Sequence, residues 1–402
     1  MFESFFIYFL IFIFQILNIL LIYKMSELMP RVRYHSIKPQ SIQDVYTSSN
    51  KPTFRISVGA GRSLVPNSVR LLADVRVLSD NSDSTTRSAG GRGFDRNLGG
   101  HAFISSINVN FANTGSMEEN TTYARYVGMD AIATLNEYDM LNSDKACELR
   151  GVNQQIMAAY SNGVTPVMGT GTPVTEDADF SIKPLCCLNK MDTNVNGLPM
   201  ARTGNITLAI VLADNLDALF GQVVDVNSGY ELRNLRVDFK SVPDSKVPES
   251  ITMGVVNDFK SNLLSGEATI STNVAALAES VAMNFIQNQH ESVPVYNSYK
   301  MENIQGLQEV QYLFNSQSNS LVSFPIRDRT EMLERFIDAM QDTSHNQVSI
   351  DKYRSNAGWA LGLNFDEAID LSNNTFTVQL ATTVNQNYPV NVFMYFFSRR
   401  TI

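Results

Sequence analysis

Charge is scarce in this sequence: Asp, Glu, Lys and Arg make up 18% of its 402 residues, below the ~25% usual for soluble domains. Each charge carried into an interface has to be paired or desolvated at a cost, so a sparsely charged surface rich in Asn, Ser and Thr favours association with copies of itself. The net charge is −9 with no clustered excess of Lys and Arg, which excludes a dedicated, sequence-specific nucleic-acid binder. The longest basic hint, Arg31, Arg33, His35 and Lys38, reads as a solvated or membrane-flanking stretch. Cysteine is nearly absent: Cys147, Cys186 and Cys187 give an odd count with an adjacent pair, which excludes a disulfide framework and points to a reducing compartment.

Histidine is as rare. His35, His101, His290 and His345 are far apart, and none stands in a His-x-x-x-His, Cys-x-x-Cys or Cys-x-x-His spacing, so no metal site is expected and each reads as an ordinary polar residue. The Gly-x-Gly pairs in GAGR (59–62) and GTGT (169–172) complete no phosphate-binding fingerprint and read as turn glycines. No Gly-x-Ser-x-Gly elbow is present, and no Ser, His and Asp set follows from spacing. Glu118 with Glu119, and Glu176, Asp177 and Asp179, are the residue types of a calcium site or a glycosidase pair, yet adjacent acids on polar loops read as solvated groups. Sequons at Asn120, Asn205 and Asn373 carry little meaning in so Asn-rich a chain. No catalytic residue, cofactor or metal is expected, and no enzyme class is left.

What the sequence does hold begins with Phe5–Tyr23, FFIYFLIFIFQILNILLIY, long enough as a helix to cross a hydrocarbon layer of ~30 Å. Glu3 precedes it and no small-residue cleavage site follows, so a secretory signal fits poorly. Residues 1–24 are read either as a transmembrane segment, with the following basic residues cytoplasmic, or as an over-extended start ahead of Met25. Residues 25–49 then form an N-terminal arm.

Beyond the arm, strict alternation of apolar and polar residues marks half-buried strands. It recurs at Phe54, Ile56 and Val58; at Val69, Leu71, Ala73, Val75 and Val77; at Ile107, Val109 and Phe111; at Ile206 to Leu212; at Leu235, Val237 and Phe239; at Phe376, Val378 and Leu380; and at Val390 to Phe396. Polar stretches at 80–100 and 161–179 read as surface loops. Helical spacing is expected from Val274 to Ile286 and from Arg327 to Met340, the latter capped by Asp328 with Glu331 three residues on. A boundary is placed within 243–262, at VPDSKVPES, dividing 50–245 from 246–402. The fold expected is mainly β: two consecutive jelly-roll β-sandwich barrels with helical insertions, the second more helical.

The segment GLNFDEAIDLSNNTFTVQLATTVNQNYPVNVFMYFFSRRTI (362–402) resembles the closing part of double-jelly-roll major capsid proteins of small and medium double-stranded DNA viruses, the virophage and polinton-like group among them. It has the short apolar lead (Leu363, Phe365), the Asp370-Leu371-Ser372 turn, a strand and a final aromatic strand. FISSINVNFANTG (103–115), GNITLAIVLADNLDALFGQ and YELRNLRVDFKSV (204–242) are similar to the family's first-barrel strands. The resemblance implies a homotrimer with six barrels, packed against neighbouring capsomers and minor or penton proteins in an icosahedral virion shell, made in the host cytoplasm, its N-terminus reaching the inside of the shell or an internal membrane. Two other readings remain: a membrane-tethered, lectin-like β-sandwich binding module, and a minor or vertex capsid protein with one jelly roll.

Overall fold

A computed structural model describes residues 32–402 apart from 79–92, most of 136–146, 151–177, 192–196, 245–249, 265–267, 316–320, most of 341–358, 383–388 and a few isolated positions. The strands of the first half are β1 (Arg33–Ile37), β2 (Val45–Tyr46), β3 (Thr53–Ile56), β4 (Arg62–Leu64), β5 (Arg70–Leu78), β6 (Ile104–Phe111), β7 (Gly115–Asn120), β8 (Ala178–Ile182), β9 (Leu198–Pro199), β10 (Ile206–Leu212) and β11 (Gly229–Pro243). Those of the second are β12 (Thr252–Leu263), β13 (Thr269–Thr272), β14 (Leu277–Gln287), β15 (Leu307–Phe314), β16 (Ala360–Asp370), β17 (Phe376–Thr382) and β18 (Val390–Thr401). Helix α1 (Tyr123–Thr134) follows β7, and α2 (Arg329–Ala339) precedes β16.

Alternation does the building. In β5, Leu71, Ala73 and Val75 are 1% exposed while Arg70, Leu72, Asp74 and Arg76 face outward. In β10, Ile206, Leu208, Ile210 and Leu212 are likewise buried. Each Leu, Ile or Val among them contributes ~1.5–3 kcal/mol when fully buried, so one wrong register would expose a whole row.

Among the described residues the strands pair in four antiparallel sheets. In the first half, β1 and β2 lie along one side of β11, with β5 and then β8 on its other side, while the facing sheet runs β3-β10-β6-β7. In the second, β12-β18-β14-β16 faces β13-β17-β15. The two halves repeat one plan, in which the last strand returns to the middle of its sheet, β11 between β1–β2 and β5 and β18 between β12 and β14, the long-return connectivity of Greek-key and jelly-roll folds. Each half also places a helix ahead of the strand that completes its first sheet. The first half adds β4 and β9 beside the end of β11. In the second, an isolated Val310–Ile326 bridge stands at the open edge of β15.

Long strands bend at bulges. The β5–β11 register slips between Arg233 and Arg236, where Asn234 takes φ of 52° and its amide donates to Asp74. A bulged residue in the left-handed region is tolerated by Asn better than by most residues and sharpens the local twist.

Four expectations need correction. Residues 274–286 do not form a helix: β14 occupies Leu277–Gln287. Its seven consecutive residues from Ser280 to Ile286 are buried because the strand is covered on both faces, and a doubly covered strand loses the period of two and imitates helical spacing. With that helix gone, one long helix remains in each half among the described residues. Residues 93–100 are not surface loop, since Phe94, Leu98, Gly99 and Gly100 are buried. Only glycine fits at 99, where φ is +54° and a Cβ would lie 2.2 Å from the Glu148 carbonyl oxygen. The last part of the 161–179 stretch enters β8, and its earlier part lies outside the described residues. Finally, β12 takes up most of the proposed boundary, leaving only the segment between Pro243 and Thr252.

The 25–49 stretch contributes β1 and β2 to the first sheet. Helix α2 follows its sequence pattern: the Asp328 side chain accepts from Thr330 N–H at 2.8 Å, and Met332, Leu333 and Phe336 are buried. The buried apolar residues form one connected cluster through both halves.

Candidate functional site at the junction of the halves

Helix α1 buries Tyr123, Ala124, Val127, Met129 and Ala131 against the first half. That packing turns Arg125 and Tyr126 toward the second half. Arg125 is 4% exposed; its guanidinium donates to the Ser298 carbonyl, lies 4.0 Å above the Phe393 ring and stands 3.7 Å from Glu291. Tyr126 packs on Tyr395 and Phe397, with ring centroids 5.4 and 6.0 Å away. The Lys190 ammonium donates to its hydroxyl and lies 4.5 Å over its ring.

Carboxylates from each side complete the joint. Asp258 on β12 accepts hydrogen bonds from the Thr121 N–H at 2.9 Å, the Thr121 hydroxyl at 2.6 Å and the Thr122 hydroxyl at 2.8 Å. It thereby places a negative charge at the N-terminus of α1, where the helix dipole favours one. Glu118 on β7 is 2% exposed and accepts from the Cys187 N–H in its own half and from the Val256 N–H of β12 at 3.2 Å. Burial pushes its carboxyl up to about 7, against the pull of Lys190 and the two backbone donors.

Backbone pairing crosses the junction too. Met191 and Met253 form an antiparallel bridge, and the Gly254 N–H donates to the Lys190 carbonyl at 2.8 Å. Arg400 donates to the Ser116 carbonyl at 2.9 Å, Arg202 to the Ile402 carbonyl at 3.1 Å and Ser292 to Asp217 at 2.7 Å. Buried ion pairs add little net stability, but an unpaired buried charge costs several kcal/mol, so these contacts penalise any other docking of the two halves. Between them is a cleft of about 580 Å³ whose lining includes Tyr126, Asp130, Lys190, Phe397 and Arg399. Its cations are engaged, Lys190 by Tyr126 and Arg399 by Glu279 at 3.3 Å. This is the chemistry of a structural joint.

The residues singled out by sequence scatter. His35 stacks on Phe239 and bonds Ser241. His101 is buried, its Nδ1 2.8 Å from the Tyr123 hydroxyl, and its imidazole is lowered to about 4 chiefly by burial. His290 pairs with Glu302 at 2.8 Å. His345, Glu176, Asp177 and GTGT lie outside the described residues. Cys186 and Cys187 are buried free thiols and Cys147 is exposed. Gly59 and Gly61 have φ of +82° and +71°, as turn glycines do. Asn120 is 1% exposed, out of reach of a glycosylating enzyme in the folded chain. Among the described residues, no three His, Cys, Asp or Glu side chains converge as metal ligands. Of the acids weighed, Glu118 alone enters the joint, together with Asp258, Arg125, Tyr126 and Lys190, which no local motif marks.

No protein-family model matches the chain, and no curated protein matches it. Solved structures do. PBCV-1 VP54, fitted into a cryo-EM reconstruction of the virophage Sputnik, has a TM-score of 0.55 at 10% identity, covering 93% of this chain and 95% of that one. The cryo-EM structure of the Sputnik virophage itself gives 0.55 at 12% identity over 92% and 86%. The Faustovirus major capsid protein gives 0.55 at 8% over 93% and 90%. At such identities the likeness is one of fold, and it spans both halves at once. The chain therefore has the double-jelly-roll fold found in these viral capsid structures.

Proposed function

We propose that this chain is a major capsid protein, a structural subunit of an icosahedral virion shell and not an enzyme. The observation that carries the reading is the joint: two jelly rolls in one chain, fixed to each other by Glu118, Asp258 and Arg125. Three such subunits bring six barrels together as a pseudo-hexagonal capsomer, and closing that ring needs heterologous, head-to-tail surfaces on each copy. A tile of this kind works only if its two barrels keep one mutual angle, which the junction supplies.

The barrels correspond to residues 50–245, joined by β1 and β2 of the preceding arm, and to 246–402. The single-jelly-roll alternative needs one pair of sheets, whereas the described residues form four. Partners on this reading are other copies of the chain, minor or penton proteins, and a lipid layer met by the apolar run 5–23. Synthesis in the host cytoplasm goes with the shortage of cysteine.

Native mass spectrometry and negative-stain imaging of the purified chain test the proposal. Trimers with a hexagonal outline are expected. A monomer that stays solitary at high concentration and binds glycans would overturn it in favour of the lectin-like module.

A further inference from the structure

The basic stretch noted in the sequence begins the described structure at an open sheet edge. Among the described residues, β1 pairs with β11 and with no other strand. The register sets Tyr34 opposite Lys240 and Arg33 opposite Ser241, and successive residues of a strand point to opposite faces. On the outer face, the Lys240 ammonium stands 5.2 Å over the Tyr34 ring; Tyr34 is nonetheless 77% exposed and Val32 46% exposed. On the other face, the Ser241 hydroxyl accepts from Arg62 Nε at 2.9 Å and meets His35 Nε2 at 2.8 Å, which gathers one cation and one imidazole around a single oxygen. The His35 imidazole is pushed down, first by partial burial and then by the charges of Arg62 and Arg33. This end of the first barrel is thus locally positive in a chain of net charge −9. Of the neighbouring acids, Asp238 is paired with Arg236 at 3.9 Å, while Asp244 accepts from the Ser63 hydroxyl and its charge offsets part of that of Arg62, which leaves Arg33 and Lys240 in excess.

Charge on an open edge also discourages stray strand pairing. That accounts for Arg33 and Lys38, but not for an exposed tyrosine and valine beside them. Aromatic and apolar side chains flanked by cations suit a membrane interface, where the ring sits at headgroup level and the cations meet lipid phosphates. The same chain carries the apolar run that ends at Tyr23, ten residues before Arg33. Ten extended residues span at most about 35 Å, so both can meet one bilayer surface.

We propose that this end of the first barrel, Val32 to His35 with Arg62 and Lys240, docks onto an anionic lipid surface. The proposal deepens the capsid reading's lipid layer and rests on it.

The full chain is mixed with vesicles of phosphatidylcholine alone, or of phosphatidylcholine with phosphatidylserine, and flotation is followed across a salt series. Binding is stronger on the anionic vesicles and salt removes the excess. Arg33→Glu combined with Lys240→Glu lowers anionic partition roughly tenfold or more, while Arg33→Lys with Lys240→Arg retains it. The chain's one tryptophan, Trp359, is fully buried, so Tyr34→Trp adds an exposed reporter whose emission shifts to the blue on anionic vesicles. Equal binding to both vesicle types, unchanged by charge reversal, overturns this proposal and spares the bilayer reading. Binding to neither overturns both. A charge reversal that abolishes binding to a single-stranded oligonucleotide yet leaves vesicle binding intact also overturns it.

Discussion

Asp258, on the first strand of the second barrel, caps α1 of the first through Thr121, taking both its N–H and its hydroxyl on the single oxygen Oδ2. A helix start is thereby completed by a residue more than a hundred positions away, and the helix's orientation is tied to the second barrel. Asp258→Ala removes the acceptor and is expected to cost about 1–2 kcal/mol. Asp258→Asn keeps an acceptor oxygen and loses the charge, for roughly 0.3–1 kcal/mol. Urea denaturation of the three proteins checks the order, and equal losses for both variants would contradict the capping role.

Glu118 gives the junction a pH dependence. Its folded-state pKa of about 7 lies above the ordinary 4.5, so the fold holds the neutral acid better than the carboxylate. Its contribution is complete below about pH 4.5 and is lost as pH rises to about 7, a total on the order of 3 kcal/mol. The stability of the native chain relative to Glu118→Gln should therefore fall across that window, as read by thermal melts at each pH. A constant difference between the two would refute it.

Two glycines are expected to respond oppositely to alanine. At Gly362 on β16, a Cβ would lie 2.8 Å from the Ala339 Cβ and 2.9 Å from the Phe336 Cα, so Gly362→Ala forces α2 off the sheet at a cost of about 1–3 kcal/mol. Gly128 in α1 offers ordinary contact, 3.5 Å to Leu98, and Gly128→Ala gains roughly 0.5–1 kcal/mol from helix propensity. Denaturation midpoints should move in opposite directions.

Thiol reactivity reports the packing around the joint. Burial raises the Cys186 thiol to about 12 and pushes that of Cys187 well above its ordinary value, which suppresses the reactive thiolate. A colorimetric thiol reagent should titrate Cys147 alone in the native chain and all three cysteines in denaturant. Native labelling of a second thiol would show that the environment of Glu118 opens readily.

Legibility followed coverage. Strands with one face in the core, β5 and β10, kept the alternation that marks them, and α2 showed both its cap and its stripe. Where both faces are covered the rhythm vanishes, and β14 passed for a helix. β7, the sequence GSMEEN, shows no alternation at all because Met117 and Glu118 are buried side by side. The joint was out of reach for another reason. Glu118 and Val256, or Arg125 and Ser298, meet only after both barrels are formed, and nothing near either residue in the chain records its partner.

In each barrel a strand in the middle of a sheet is the last to be made: β11 between β1–β2 and β5 in one, β18 between β12 and β14 in the other. During synthesis β12 and β14 leave the ribosome without the neighbour that separates them, each with an unsatisfied edge. The second barrel can therefore close only after Val390–Thr401 has emerged, while the first can close much earlier, on Gly229–Pro243. A nascent subunit passes through a stage with one finished barrel and one open, apolar half-sheet. That stage is when chaperones have most to protect, and a stop codon just ahead of β18 would leave it permanent.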